Sequence, residues 1–111
     1  VCALGGSIGT GSSGISAPVI EVRSFDELKQ LGEKNVKGKI VFFNRAMDPT
    51  RINTFTGYGG AVDQRGSGAS EAAKYGAVGA LVRSMGSNLE DYPHTGGLRY
   101  APNVPQIPAL A

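Results

Sequence analysis

Residues 67–84 read Ser67-Gly68-Ala69-Ser70-Glu71-Ala72-Ala73-Lys74-Tyr75-Gly76-Ala77-Val78-Gly79-Ala80-Leu81-Val82-Arg83-Ser84, and they contain a helix start, a helix stop and a buried strand in succession. Ser67 offers a side-chain oxygen to the free amides of a first turn. Glu71 lies where the helix dipole favours an anion, and Ala69, Ala72 and Ala73 have high helix propensity. Gly76, directly after Tyr75, predicts the stop, because glycine reaches a left-handed cap without the steric cost of a β-carbon. From Ala77 to Val82 the chain is continuously small and apolar, the pattern of a strand covered on both faces, and Arg83 ends it. Glycine and alanine in that strand let a helix lie close on the sheet.

Working outward, Ala61 to Arg65 reads as a short edge strand ahead of this helix, and Lys39 to Asn44 is the strongest strand in the chain, predicted to be central. Ser24-Phe25-Asp26-Glu27 is a capping box that opens a helix to about Glu33, with Phe25, Leu28 and Leu31 on one face. Ala17 to Arg23 alternates as a strand, and Val1 to Leu4 forms another. Pro105 and Pro108 confine any strand in residues 104–110 to a sheet edge. Arg51 to Tyr58 reads as one turn of helix, and Ser84 to Gly97 as a polar loop. The order strand, strand, helix, strand, helix, strand, strand predicts an α/β sheet of about five to seven short strands with two principal helices.

Two catalytic patterns lie in the glycine-rich stretch after Leu4. Gly5-Gly6-Ser7-Ile8-Gly9 has the spacing of a nucleophile elbow, and Gly9 to Gly14 that of a dinucleotide phosphate loop. Both need a helix immediately afterwards, to expose the serine or to hold the pyrophosphate. Ile15-Ser16-Ala17-Pro18-Val19 comes next instead, so a connecting loop is the reading.

Composition bounds the function. A chain of 111 residues supports one domain with its own core. Its net charge of +2 comes from 11 Lys and Arg scattered among 9 Asp and Glu, with no basic run to neutralise several phosphates, which argues against nucleic acid. No apolar run reaches the roughly 20 residues of a membrane span. The single cysteine, Cys2, forms no internal disulfide and reads as a small buried strand residue. The chain begins at Val1 inside an apolar run, which predicts a segment of a longer protein.

Several stretches together resemble a known family. Leu4-Gly5-Gly6-Ser7-Ile8-Gly9-Thr10, Val22 to Leu28, Gly38-Lys39-Ile40-Val41, Gly68-Ala69 through Gly76-Ala77 to Ser84, Pro93-His94-Thr95-Gly96, Tyr100 and Val104 to Ala109 keep the order found in the protease-associated domain of plasma glutamate carboxypeptidase-like peptidases. The resemblance covers nearly the whole chain. It implies a twisted, partly barrel-like protease-associated fold spanning residues 1–111, with the closing strand cut short at Ala111. It also implies a non-catalytic domain over the active-site mouth of a zinc-dependent exopeptidase, in a secreted or periplasmic setting. Zinc and the catalytic glutamate would belong to the surrounding peptidase domain, whereas this chain would hold no metal and no catalytic residue. Its partners would be that domain and peptide substrates, with no nucleic acid and no membrane. The chain's own chemistry agrees, since a co-catalytic zinc site needs several converging His, Asp and Glu side chains and there is one histidine.

Four positions are singled out for contact with substrate or with the peptidase domain: Arg83, Ser84, His94 and Thr95. Arg83 ends a buried strand, a position from which a guanidinium can grip a carboxylate with two parallel hydrogen bonds. The plainer readings are an ion pair for Arg83 and a loop hydrogen bond for His94; Arg45 and Arg65 share the ambiguity of Arg83. Similar domains also occur in sorting receptors as protein-interaction modules, which is the first alternative. The second is an independent hydrolase using Ser7 with His94. An inserted domain should have its two ends close together, placing Val1 to Leu4 near residues 106–110.

Overall fold

The structure is a computed structural model, and it describes residues 2–46, 62–84 and 96–111. Strands β1 (Val19–Val22), β2 (Ile40–Phe43), β3 (Gly79–Val82) and β4 (Ala109–Leu110) form a parallel sheet in the order β1-β2-β3-β4. Helix α1 (Phe25–Val36) connects β1 to β2, and helix α2 (Asp63–Ala73) precedes β3. Parallel neighbours require crossovers, and crossovers of one hand between strands in sequential order bring both helices onto the same face.

That face holds the core. Val22, Val41, Phe43, Ala80, Val82 and Ala109 are buried beneath Leu28 and Val36 of α1 and Ala69, Ala72 and Ala73 of α2. Phe43 sits where the two helices meet. Its ring stands edge-on to Phe25 of α1, with centroids 5.7 Å apart and planes at 89°, and a β-carbon at Gly68 of α2 would lie 3.0 Å from its Cε2. The opposite face carries Ile40, Leu81 and Leu110. With Thr10, Ile15 and Pro108 these line a shallow, largely apolar groove of about 80 Å³.

The capping box forms with one change. Ser24 Oγ accepts the Glu27 amide at 3.0 Å, but Glu27 Oε2 reaches back to the amide of Arg23, also at 3.0 Å, rather than to that of Ser24. The helix breaks near its expected end, at Gly32 with φ 66°, and one further turn seats Val36 in the core. At the other stop, Gly76 has φ 84°, its amide donates to Ala73 and the Ala77 amide to Ala72, which is the Schellman pairing.

Four expectations are corrected. Helix α2 starts at Asp63, so the edge strand expected over 61–65 is absent there: Asp63 to Arg65 form the first turn, and Ser67 lies inside the helix rather than capping it. The helix passes through Gly66 and Gly68 because packing of Gly68 on Phe43 outweighs weak propensity. The strand expected at Val1 to Leu4 is reduced to an isolated antiparallel bridge, Ala3 to Leu110. Cys2 is half-buried rather than buried. The turn expected at 51–58 lies outside the described residues.

The chain ends meet as expected. The Cys2 amide donates to Ala111 O at 2.7 Å, the Ala111 amide to Cys2 O at 2.8 Å, and the Leu4 amide to Ala109 O at 3.0 Å.

Two helical glycines should respond with opposite signs. Gly66→Ala, whose β-carbon meets nothing within 4 Å, should stabilise the chain by about 0.5–1 kcal/mol in urea unfolding. Gly68→Val should destabilise it by about 1–3 kcal/mol as the Phe43 ring is displaced.

Candidate functional site

The carboxyl ends of the parallel strands carry a linked set of polar residues. In α/β sheets this is the end where ligands sit, because side chains just beyond the strands converge there while helices cover the sheet face. Arg23, Asn44 and Arg83 directly succeed β1, β2 and β3. The ladder continues into them: the Asn44 amide donates to Val22 O at 2.8 Å and the Arg83 amide to Phe43 O at 3.0 Å.

Their side chains form a linked series. The half-buried Arg83 donates from Nη1 to Asn44 Oδ1 at 3.2 Å, and Asn44 donates from Nδ2 to Glu21 Oε1 at 2.8 Å. A carboxylate only accepts, so Glu21 takes the NH₂ of Asn44 and leaves its carbonyl to face Arg83. Glu21 also lies 3.6 Å from Arg23 Nε, but these side chains are 49% and 75% exposed, and such pairs contribute little.

A second polar unit fixes the entry to α2. Gln64 is 1% exposed and pairs with both backbone groups of Arg45: its Oε1 accepts the Arg45 amide at 3.1 Å and its Nε2 donates to the Arg45 carbonyl at 2.7 Å. The side chain thus mimics a strand neighbour where the ladder stops. Asp63 forms an ion pair with the Arg45 guanidinium. Gly96 lies directly against Arg65, since a β-carbon there would fall 2.5 Å from its Nε.

Arg23, Arg45, Arg65 and Arg83 lie toward the carboxyl end of the sheet, and four of the lysines, Lys34, Lys37, Lys39 and Lys74, toward the amino end. Lys74, one of the latter, is exposed, and the hydrogen bond to Glu71, 2.9 Å long, raises its pKa above the ordinary lysine value.

Of the four positions named from sequence, Arg83 and Ser84 are half-buried at the carboxyl end of β3; His94 and Thr95 lie outside the described residues. Sequence reading did not single out Asn44, Glu21 or Gln64. Asn44 was accessible in principle, as the residue ending the strongest strand. Glu21 and Gln64 were not, because their partners stand 23 and 19 residues away.

Ser7 has a structural task. Its hydroxyl donates to Ile8 O and accepts the Ala109 amide, both at 2.9 Å, tying the glycine-rich loop to β4. Tyr100 adds a second tie, donating to Ile107 O at 2.6 Å and accepting the Ile8 amide at 3.0 Å. No helix occurs between Ser7 and α1. Among the described residues, no three His, Cys, Asp or Glu side chains are grouped to hold a metal, and no helix is long and apolar enough to cross a membrane.

No protein-family profile matches the chain. Its sequence is 49% identical over 111 residues to carboxypeptidase Q of Xenopus laevis, covering all of this chain and 22% of that protein. Human carboxypeptidase Q is 42% identical over 108 residues, covering 97% of this chain and 21% of the human protein. Among solved structures, the chain matches the crystal structure of a Peptidase M28 precursor from Shewanella amazonensis SB2B. The TM-score is 0.87 at 36% identity, covering 96% of this chain and 24% of that one. The chain therefore spans about a fifth of the length of the curated relatives it matches.

Gln64→Leu keeps the side-chain volume but leaves the Arg45 amide and carbonyl unpaired. It should lower the unfolding free energy of this chain by about 2–4 kcal/mol in chemical denaturation.

Proposed function

We propose, from its relation along the whole chain to a segment of carboxypeptidase Q and of an M28 peptidase, that this is the protease-associated domain of a zinc-dependent exopeptidase. The domain is non-catalytic. It lies over the active-site cleft and restricts or positions peptide substrates, while zinc and the catalytic carboxylate belong to the surrounding peptidase domain. The observation that carries this reading is the coverage: relatives match all or nearly all of this chain but about a fifth of their own length, the proportion of a domain within a larger peptidase.

Three further features support it. The hydrogen-bonded ends, Cys2 to Ala111, suit a domain inserted between two parts of a host chain. Ser7, the serine of the elbow-like pattern, is held by backbone groups. The relatives are peptidases, which favours this reading over that of a sorting-receptor interaction module. The mechanism is steric and electrostatic: a rigid cover excludes folded proteins, admits short peptides and presents polar groups to them. Arg83, Ser84, His94 and Thr95 are the residues proposed to touch substrate or the peptidase domain. The partly barrel-like closure with additional strands, and a secreted or periplasmic location, belong to the same proposal.

Removing residues 1–111 from the parent enzyme should change its KM or its selectivity between short and long peptides. Identical kinetics on both classes would refute the reading. The isolated chain, supplied with zinc, should show no hydrolysis of dipeptides or aminoacyl anilides; turnover that tracks zinc occupancy would make it the catalytic unit.

A further inference from the structure

Arg83 stands out among the arginines of the carboxyl-end rim. Arg45 is paired with Asp63, and Arg23 lies beside Glu21. The Arg83 side chain has one hydrogen-bonding partner among the described residues, the neutral Asn44, and no carboxylate. A guanidinium carries five N–H donors in a fixed fork. Among the described residues one donor is used to hold the group and no carboxylate accompanies the positive charge, in a half-buried position.

The holding is specific. Glu21 fixes the Asn44 amide so that its carbonyl faces Arg83, and the Asn44 backbone is locked to β1. Rotamer freedom that an arginine ordinarily loses on binding is thereby reduced beforehand. The location matters too. Ala109 and Leu110 are in register with Ala80 and Leu81, so Ala111, hydrogen-bonded to Cys2, lies level with Val82, one residue before Arg83. Residue 83 thus follows directly on the level of the sheet at which Ala111 and Cys2 pair, and its guanidinium turns toward Asn44 at the end of β2.

We infer that Arg83 is a carboxylate-binding residue, with Asn44 and Glu21 as its positioning residues; this rests on the peptidase reading. The fork accepts a carboxylate through two parallel hydrogen bonds, which neither Lys nor a neutral donor reproduces. Two sources share this chemistry: the free C-terminal carboxylate of a peptide substrate, and an acidic side chain of the peptidase domain.

The test uses the full-length parent enzyme and non-cleaved competitor peptides in two forms, C-terminal carboxylate and C-terminal amide. If the ligand is the peptide carboxylate, Arg83→Gln weakens inhibition by the carboxylate form about 10- to 100-fold and leaves the amide form unchanged. Asn44→Ala gives a smaller loss with the same selectivity, a ratio that mere destabilisation would not move. If the ligand is an acidic side chain of the peptidase domain, Arg83→Gln affects both forms equally and lowers the Tm of the parent, and Arg83→Lys restores part of it. Either outcome supports carboxylate binding and identifies its source. Unchanged inhibition by both forms and unchanged Tm in both Arg83→Gln and Arg83→Lys overturn it. A deletion of residues 1–111 that alters kinetics while Arg83→Gln does not would sink this inference alone; a silent deletion would sink the accessory-domain reading itself.

Discussion

The ring of Phe43 is the constraint on which the architecture turns. It is 1% exposed, with Phe25 edge-on from one helix and the bare Cα of Gly68 beneath the other. An edge-to-face pair adds about 0.5–1.5 kcal/mol beyond the area it buries, and the glycine lets a helix approach where alanine would crowd the ring. One residue thus fixes the distance of both helices from the central strand. It also fixes the polar end of the sheet, because the Phe43 carbonyl anchors Arg83 and the next residue, Asn44, orients the Arg83 side chain.

Much of this was legible because it is local. The capping box at Ser24 and Glu27, the left-handed stop at Gly76 and the apolar strand at Ile40 to Phe43 each depend on residues within a few positions of one another. The start of α2 was not legible, because two glycines inside a helix look like a boundary until the facing aromatic ring is known. The first strand failed for a related reason. Ala3 pairs with a β4 only two residues long, so an apolar sequence found little ladder to join. At the candidate site, Arg83 could be named from its place at a strand end, but the groups that orient it come from two other strands. No spacing rule connects Glu21, Asn44 and Arg83; only the register of three parallel strands does.

The arginines that follow the strands and the lysines that precede them differ in more than position. Lysine is a strongly hydrated point charge, suited to a surface that faces water, and guanidinium is weakly hydrated and planar, suited to a surface that becomes covered. Lys74, exposed and paired with its helical neighbour Glu71, fits the first description, and the half-buried Arg83 the second.

The paired ends have a consequence for any host that carries this unit. An unfolded insertion of this length between two host residues would cost about 3 kcal/mol more in loop-closure entropy than a five-residue turn, from the logarithmic dependence on length. If the domain is carried as the insertion proposed above, the pairing of Cys2 with Ala111 brings the two ends within one strand spacing, and that entropic load would be carried by the folding of the insert. Folding of the two parts is then coupled through a geometric boundary condition as well as through any surface they share. Loosening the bridge between the ends should therefore be felt in the host as though a tight turn had been replaced by a long, slack loop.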